Sequence, residues 1–198
     1  ELKADGSVWE WGKDEAGMRG EGTRTGRSEP MKVNGIEGVI QIAAGYSHTV
    51  ALKEDGTVWV WDSENYDYRH DESAKDKTHP VKVKGIDKVT KIVAGEHHTV
   101  ALKEDGTVWV WGDNNYGLLG NEIKAESISK PIKVKGLEKV MDIATGDNHI
   151  VALKENGTVW AWGSNGYGQL GDGTKINSSK PMQVQGINEV TQVAAGEA

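Results

Sequence analysis

Cysteine is absent from this chain of 198 residues, which excludes disulfides, thiolate metal sites and cysteine nucleophiles. Phenylalanine is also absent, and no apolar run approaches the roughly 18 residues of a membrane-spanning helix. Helical periodicity of apolar residues is nearly missing as well. The sequence therefore predicts no membrane insertion. It leaves the compartment open, because a cysteine-free chain folds equally well inside and outside a cell.

Clustered positive charge is lacking too. The 23 Lys and Arg are outnumbered by 30 Asp and Glu, for a formal net charge of −7. Most lysines stand beside an acid, as in Lys53-Glu54-Asp55. A surface that binds duplex nucleic acid needs clustered Lys and Arg to neutralise phosphates. No nucleic-acid partner is expected.

What the chain does contain is a repeat. The 14 residues 48–61 return unchanged at 98–111, with looser copies at 149–162 and, shortened, at 1–11. Trp9, Trp59, Trp109 and Trp160 are spaced by 50, 50 and 51 residues. Residues 1–198 are therefore predicted to form one domain of four repeats. Each repeat of about 50 residues carries a tryptophan pair: Trp9/Trp11, Trp59/Trp61, Trp109/Trp111 and Trp160/Trp162.

Each repeat is predicted to contain four short strands. In the second repeat these are 39–44, 49–52, 57–61 and a short edge strand opened by Pro80; the first strand is echoed at 89–94, 140–145 and 190–195. An Asp-Gly or Asn-Gly pair is expected to supply the positive φ angles of the hairpin turn, through Gly56, Gly106 and Gly157. One such sheet cannot bury its faces alone. The predicted fold is all-β, a β-propeller of four-stranded antiparallel blades, with about four blades in this chain.

The repeat also carries a recognisable motif. Ala-Gly-x-x-His-x-Val-Ala-Leu is followed by Asp-Gly-Thr-Val-Trp and Trp-Gly-x-Asn-x-Tyr-Gly-x-Leu-Gly, and its fullest copies lie at 146–153 and 162–171. This pattern resembles the regulator of chromosome condensation repeat family over the whole chain. The resemblance implies a propeller, usually of seven blades. Known roles of members of that family are nucleotide exchange on a small GTPase, chromatin docking and, in secreted bacterial relatives, inhibition of β-lactamase. The near-identical units resemble bacterial members, which implies a secreted or surface protein.

Three ways of completing the ring follow from four repeats. The chain is a fragment of a larger ring, or two chains build an eight-bladed ring, or the chain closes alone with residues 190–195 pairing with residues 1–4. Closing at four requires blades shaped for seven to splay apart, which counts against the third alternative.

Catalytic, metal and cofactor sites are not predicted. His48, His98 and His149 occupy one position in three repeats, but a metal needs ligands within a few ångströms and blades are farther apart. We interpret each imidazole as satisfying backbone groups near the Gly-x-x turn, a role that repeats because the blade repeats. Residues 166–171 match Gly-x-Gly-x-x-Gly without a following helix, so they are interpreted as a turn. The repeated residues are assigned structural roles: His48, His98, His149, Trp59, Trp61, Trp109, Trp111, Trp160, Trp162, Gly56, Gly106 and Gly157.

Binding is assigned instead to the loops that differ between repeats, at 13–29, 62–79, 113–130 and 164–180. The second is richest in groups favoured at interfaces: Tyr66, Tyr68, Arg69, His70 and His79. In that loop Asp62, Asp67 and His70 replace Gly112, Gly117 and Gly120 of the next repeat. The favoured function is a non-enzymatic scaffold for protein–protein interaction with an unknown partner. The alternatives are a guanine-nucleotide exchange factor for a small GTPase and a structural propeller that closes its ring by dimerisation.

Overall fold

The computed structural model describes residues 1–12, 27–62 and 79–197, and this part of the chain folds into antiparallel sheets. Strands β3 (Val39–Ala44), β4 (His48–Lys53), β5 (Val58–Asp62) and β6 (Val81–Lys82) pair in chain order and form the second blade. The third and fourth blades repeat that order: β7 (Val89–Ala94), β8 (His98–Lys103), β9 (Val108–Asp113), β10 (Ser127–Lys133), β11 (Val140–Thr145), β12 (His149–Lys154), β13 (Val159–Gly163) and β14 (Ser178–Gln183).

The first blade is smaller. Strands β1 (Trp9–Gly12) and β2 (Arg27–Lys32) pair with each other, and a single bridge joins Leu2 to Val8. The predicted all-β propeller architecture is confirmed, as three four-stranded sheets and this smaller one.

The predicted strand at 190–195 is not formed. In the other blades this segment pairs with the second strand of its own repeat, and no described residue supplies that strand here. Its backbone does not pair with residues 1–4 either, so the chain does not close alone as a four-bladed ring. The segment still docks at its start, where the Val190 N–H donates to the Gly157 carbonyl at 3.2 Å.

The edge strands differ from the prediction in one respect. They do not start at the proline; β2, β10 and β14 run through it, and their register shifts beside it. Proline has no N–H to donate, and a local bulge on an edge strand accommodates that loss. The last residue of β5 is Asp62, at a position where the other blades have a glycine with φ between 107° and 112°. That blade's edge strand is the two-residue β6.

The core lies between blades rather than within them. One buried cluster combines Val100 and Val110 of the third blade with Ile143 and Ile150 of the fourth. A second joins Val50 of the second blade to Ile92 of the third. Each sheet therefore buries its faces against its neighbours, which explains why a single repeat is not a stable unit.

The junction between blades also contains strained backbone. Lys88, Lys139 and Glu189 have φ of 53° to 55°, and Gly38 stands at the same repeat position with φ of 67°. At this position the carbonyl of Lys88 accepts the Glu104 N–H at 2.9 Å, and that of Lys139 accepts the Glu155 N–H at 2.9 Å. These contacts hold the start of one blade against the hairpin tip of the same blade.

Candidate protein-interaction face

The propeller presents two ends with different chemistry. We call one the hairpin face, which carries the turns between second and third strands. We call the other the loop face, which carries the turns between first and second strands and the long loops between third and fourth. The two kinds of loop are joined there: the Asp113 N–H donates to the His97 carbonyl at 2.9 Å, and the Ser164 N–H to the Asn148 carbonyl at 2.7 Å.

The hairpin face is built in the same way in every repeat. Oδ1 of Asp55 accepts the Thr57 N–H at 3.0 Å and its hydroxyl at 2.6 Å, and the Trp59 indole N–H donates to that hydroxyl at 3.2 Å. Lys53 Nζ lies over the Trp59 ring, 5.5 Å from its centroid. Equivalent contacts recur around Trp9, Trp109 and Trp160.

This network corrects one detail of the hairpin prediction. Gly56, Gly106 and Gly157 have φ of 74° to 75°, as expected, but the preceding Asp or Asn does not adopt a positive φ. Its side chain holds the turn through the threonine instead, as Asx turns do. The hairpin tips are therefore rigid, repeated and chemically uniform.

The repeated Gly-x-x-His segment joins neighbouring blades. Nε2 of His48 lies 3.1 Å from the Thr99 hydroxyl, and Nε2 of His98 lies 2.7 Å from the Thr145 hydroxyl. Because the Thr145 hydroxyl donates to a carbonyl of its own turn, its oxygen accepts from His98. A backbone partner near the Gly-x-x turn was predicted, but Nε2 of these two rings bonds a threonine hydroxyl of the next blade.

The glycine of this segment makes room for the imidazole. A Cβ on Gly95 would overlap Cε1 of the His98 ring and approach its Nδ1 at 2.6 Å. At Gly45 it would also come within 2.5 Å of the Gly95 carbonyl oxygen. None of Gly45, Gly95 and Gly146 has a positive φ, so close approach rather than backbone conformation requires glycine here.

Burial keeps these histidines neutral. Desolvation lowers the pKa of His48 to about 4 and that of His98 to about 3, with nearby histidines contributing in the same direction. Desolvation also lowers the pKa of His149. A buried neutral imidazole with one donating nitrogen suits a hydrogen bond between blades better than metal binding. No group of three His, Cys, Asp or Glu in the described ranges is placed to hold a metal ion.

The long loops of the third and fourth blades are organised by a buried asparagine. Asn165 is fully buried; its Oδ1 accepts the Leu170 N–H at 3.0 Å, and its Nδ2 donates to the Ile176 carbonyl at 3.1 Å. Asn114 makes the equivalent bonds to Leu119 and Ala125. Glycines at the expected positions adopt positive φ: Gly112, Gly117, Gly120, Gly163, Gly168 and Gly171.

The long loop of the third blade also covers a tryptophan of the fourth blade. The Trp162 indole N–H donates to the Leu118 carbonyl at 2.8 Å. Between the first two blades the acceptor differs: the Trp61 indole lies 3.2 Å from Oε1 of Glu10, which stands where the other repeats have a valine or an alanine. Trp61 and Trp162, each the second tryptophan of its pair, are therefore interface residues, whereas Trp11 of the first pair is exposed.

The proposed binding residues of the second loop lie mostly outside the described part of the chain. This applies to Tyr66, Tyr68, Arg69 and His70, whereas His79 is described and exposed. The loop leaves β5 at Asp62, which pairs with His48, so it starts on the loop face.

Sequence reasoning missed a second feature of this face. The residue after the Gly of the Gly-x-x-His segment is Tyr46, Glu96, Asp147 and Glu197 in successive repeats. These residues converge on one cavity of about 530 Å³ at the centre of the loop face. The signal was present in the alignment of the repeats as an acid recurring at one position, but only the fold shows that the copies meet.

Comparison with known proteins identifies the family. The chain matches the family described as RCC1-like domain over residues 2–198. It belongs to the RCC1-like domain family. No helix long and apolar enough to cross a membrane occurs among its described residues.

Structural relatives agree with this assignment. The RCC1-like chain superimposes on human WBSCR16 with a TM-score of 0.86 at 27% identity, covering 99% of this chain and 52% of that one. It also superimposes on Prp20p from Saccharomyces cerevisiae with a TM-score of 0.80 at 24% identity, covering 93% and 48%. This RCC1-like chain therefore spans about half the length of these two propellers.

Curated relatives share shorter stretches. The human E3 ubiquitin-protein ligase HERC2 is 40% identical over 75 residues, which is 36% of this chain and 2% of the relative. The Xenopus laevis protein RCC2 homolog is 40% identical over 83 residues, which is 40% of this chain and 16% of the relative. These RCC1-like matches cover a repeat or two and do not extend to the whole relatives.

Proposed function

We propose that the chain is a non-enzymatic protein-interaction module that binds its partner through the loop face. The observation that supports this proposal is the contrast between the two ends of the propeller. The hairpin tips repeat the same hydrogen bonds and lysine–tryptophan contacts in four repeats. The loop face has different side chains in each repeat, on the same rigid frame. Variable loops on a constant scaffold are the usual location of binding sites.

Within the loop face, we propose residues 62–79 as a main contact, through Tyr66, Tyr68, Arg69, His70 and His79. Tyrosine and arginine are enriched at the centres of interfaces. Tyrosine buries a large surface with few rotatable bonds, and the planar guanidinium of arginine makes several hydrogen bonds at once. The proposal that the module belongs to a secreted or surface protein of a bacterium rests on the family resemblance alone.

A loop exchange tests this proposal. Residues 62–79 are replaced by residues 163–180, which have the same length between the second tryptophan and the proline. We expect the variant to fold and to lose most of its partners in affinity capture followed by quantitative mass spectrometry. The matched control replaces residues 34–38, beside the hairpin tips, with residues 185–189, and it should keep every partner.

Retention of all partners by the 62–79 exchange would contradict the assignment of this loop. Loss of partners in the 34–38 control would contradict the choice of face.

Two alternatives are less well supported. A nucleotide-exchange factor needs an element that inserts into its GTPase, and the four repeats differ in length by one residue only. Ring closure by two chains has one supporting observation, namely that residues 190–195 have no strand partner in the described part of the molecule. Nucleotide release and native mass are the measurements that distinguish these alternatives from the proposal.

A further inference from the structure

Three Asn-Gly pairs occur in the chain, at 34–35, 156–157 and 165–166. An asparagine that precedes glycine is prone to deamidation, because the glycine has no Cβ to hinder the approach of its nitrogen to the asparagine side chain. The reaction also requires that the side chain and the backbone be free to move. The three pairs lie in different structural settings, so the fold separates a reactive pair from two protected ones.

The pair Asn34-Gly35 is open. Both residues are exposed in the bend between β2 and β3. Gly35 has φ of 80°, and a Cβ there would meet nothing within 4 Å. Among the described residues, the Asn34 side chain makes no hydrogen bond, and none accepts one from the Gly35 N–H. No contact in this part of the chain therefore holds the side-chain amide away from the glycine nitrogen.

The pair Asn156-Gly157 forms a hairpin tip and is locked. Oδ1 of Asn156 accepts the Thr158 N–H at 3.2 Å and its hydroxyl at 2.7 Å. The Gly157 N–H donates to the Lys154 carbonyl at 2.9 Å. A Cβ on Gly157 would lie 2.9 Å from Cα of Glu189, so the turn has little room to shift. Both reacting groups are therefore held in hydrogen bonds.

The pair Asn165-Gly166 is protected by burial. Asn165 is fully buried, and its side chain bonds the backbone on both sides of the fourth blade's long loop. Its Nδ2 also lies 3.2 Å from the Thr174 carbonyl oxygen. To reach the Gly166 nitrogen, the side chain must give up these bonds and the loop must open.

We propose that Asn34-Gly35 is a site of spontaneous deamidation and isoaspartate formation in the folded protein. The Gly35 nitrogen, after losing its proton to a base in solvent, attacks Cγ of Asn34. The new N–C bond closes a five-membered succinimide, and the side-chain nitrogen leaves as ammonia after taking up a proton. Water then opens the ring at one of its two carbonyls, which gives aspartate or isoaspartate.

The modification changes a structural connection. Val33 and Ile36, on either side of the pair, are buried in the cluster that joins the first blade to the second. Isoaspartate adds one carbon to the backbone between these two anchors. Either product adds a negative charge where the next two repeats have Lys84 and Lys135. The site lies beside the hairpin tips, so this inference does not depend on the proposed function.

Peptide mapping by mass spectrometry, after incubation of the protein at mildly alkaline pH, tests the proposal. Tryptic peptide 33–53 contains Asn34, and peptide 155–175 contains the other two pairs, which fragment ions distinguish. In the folded chain Asn34 should deamidate at nearly the rate that it has in guanidinium chloride. Asn156 and Asn165 should deamidate at least about tenfold more slowly folded than unfolded, because their turns must first open. Liquid chromatography should separate both aspartate and isoaspartate forms of peptide 33–53.

Two variants complete the test. Asn34→Gln introduces the residue that the fourth repeat has at this position, and the folded variant should release almost no ammonia because a glutamine closes the corresponding ring far more slowly. The matched control Asn156→Asp introduces the residue of the second and third repeats and should release as much ammonia as the unaltered chain.

Three results would overturn the proposal. The first is slow deamidation of Asn34 in the folded chain relative to the unfolded one. The second is an equal rate at all three pairs in the folded chain, since the sequence alone would then determine reactivity. The third is aspartate without isoaspartate at position 34, which would exclude the succinimide.

Discussion

Gly95→Ala should lower the free energy of unfolding by about 3 kcal/mol, at the upper end of overpacking effects. The backbone of Gly95 is not in the left-handed region, so the cost is steric. The added methyl would overlap the His98 ring, and the ring cannot turn away without losing its hydrogen bond to Thr145. For a chain of this size the change corresponds to a fall in Tm of roughly 6–12 °C. Urea denaturation followed by tryptophan fluorescence measures it.

Gly166→Ala is the matched control. Gly166 also has no positive φ, and a Cβ there would meet nothing within 4 Å. This variant should change stability by less than about 0.5 kcal/mol. If both glycines respond alike, close packing against the imidazole does not explain the Gly-x-x-His pattern.

Acidification should destabilise the protein between pH 6.5 and 4, before most carboxylates titrate. In the unfolded chain a histidine takes up its proton near pH 6.5, whereas in the folded chain the pKa is about 4 for His48 and about 3 for His98. Over this window the unfolded state binds more protons than the folded state, so the free energy of unfolding falls as pH falls. At about 1.4 kcal/mol per pKa unit, the loss by pH 4 is on the order of 3 kcal/mol for each histidine.

Three aspartates also change stability at low pH, and their effects differ from those of the histidines in pH range or in sign. The pKa values of Asp55 and Asp105 are lowered by their bonds to threonine, so the stability that they contribute is lost only below their ordinary value of 3.8. Burial raises the pKa of Asp113. Protonation of this carboxyl at low pH therefore favours the folded state and opposes the loss of stability that the histidines cause.

Denaturation curves at pH 7, 5.5 and 4.5 should therefore show that the free energy of unfolding falls steeply as the pH falls. In the variant His98→Gln the same fall should be shallower. Gly166→Ala, which alters no titratable group and adds a Cβ that meets nothing within 4 Å, should leave this pH dependence unchanged. A flat profile between pH 7 and 4.5 would contradict the burial of these imidazoles in the native state.

Much of the fold was predictable because the repeat encodes it. Alternation and β-branched residues around Trp59 and Trp61 indicate a strand, Gly56 indicates the turn, and a 50-residue period indicates stacked blades. The strand at 190–195 was predicted from the same pattern and is not formed. A sequence pattern specifies what a segment can pair with, but not whether the partner is present.

The partners across blades could not be predicted from one repeat. His98 bonds Thr145 at the end of β11, whereas His48 bonds Thr99 near the start of β8. Ile150 occupies the place of Thr99 in the fourth blade, and Ala94 occupies the place of Thr145 in the third. The threonine has therefore moved between two positions that face the same imidazole. This exchange is visible in the aligned repeats, but its meaning requires knowing that the two positions meet.

The strained junctions were missed for a similar reason. Lys88 and Lys139 give no sign of positive φ by themselves, although Gly38 at the same position of an earlier repeat is such a sign. At the loop face, Glu96 and Asp147 lie in polar turns that look merely solvated in the sequence. Their convergence depends on the angle between blades, which no local pattern specifies.

The repeated Gly-x-x-His segment holds neighbouring blades together through a threonine of the next blade. A double-mutant cycle with Thr145→Ala and Ile150→Thr tests this claim most directly, because the pair moves the threonine to the place that it has in the third blade. Equilibrium denaturation should show Thr145→Ala to be destabilising by about 1–2 kcal/mol. The double variant should be more stable than the sum of the single effects by at least about 1 kcal/mol. Strict additivity of the two substitutions would contradict the claim.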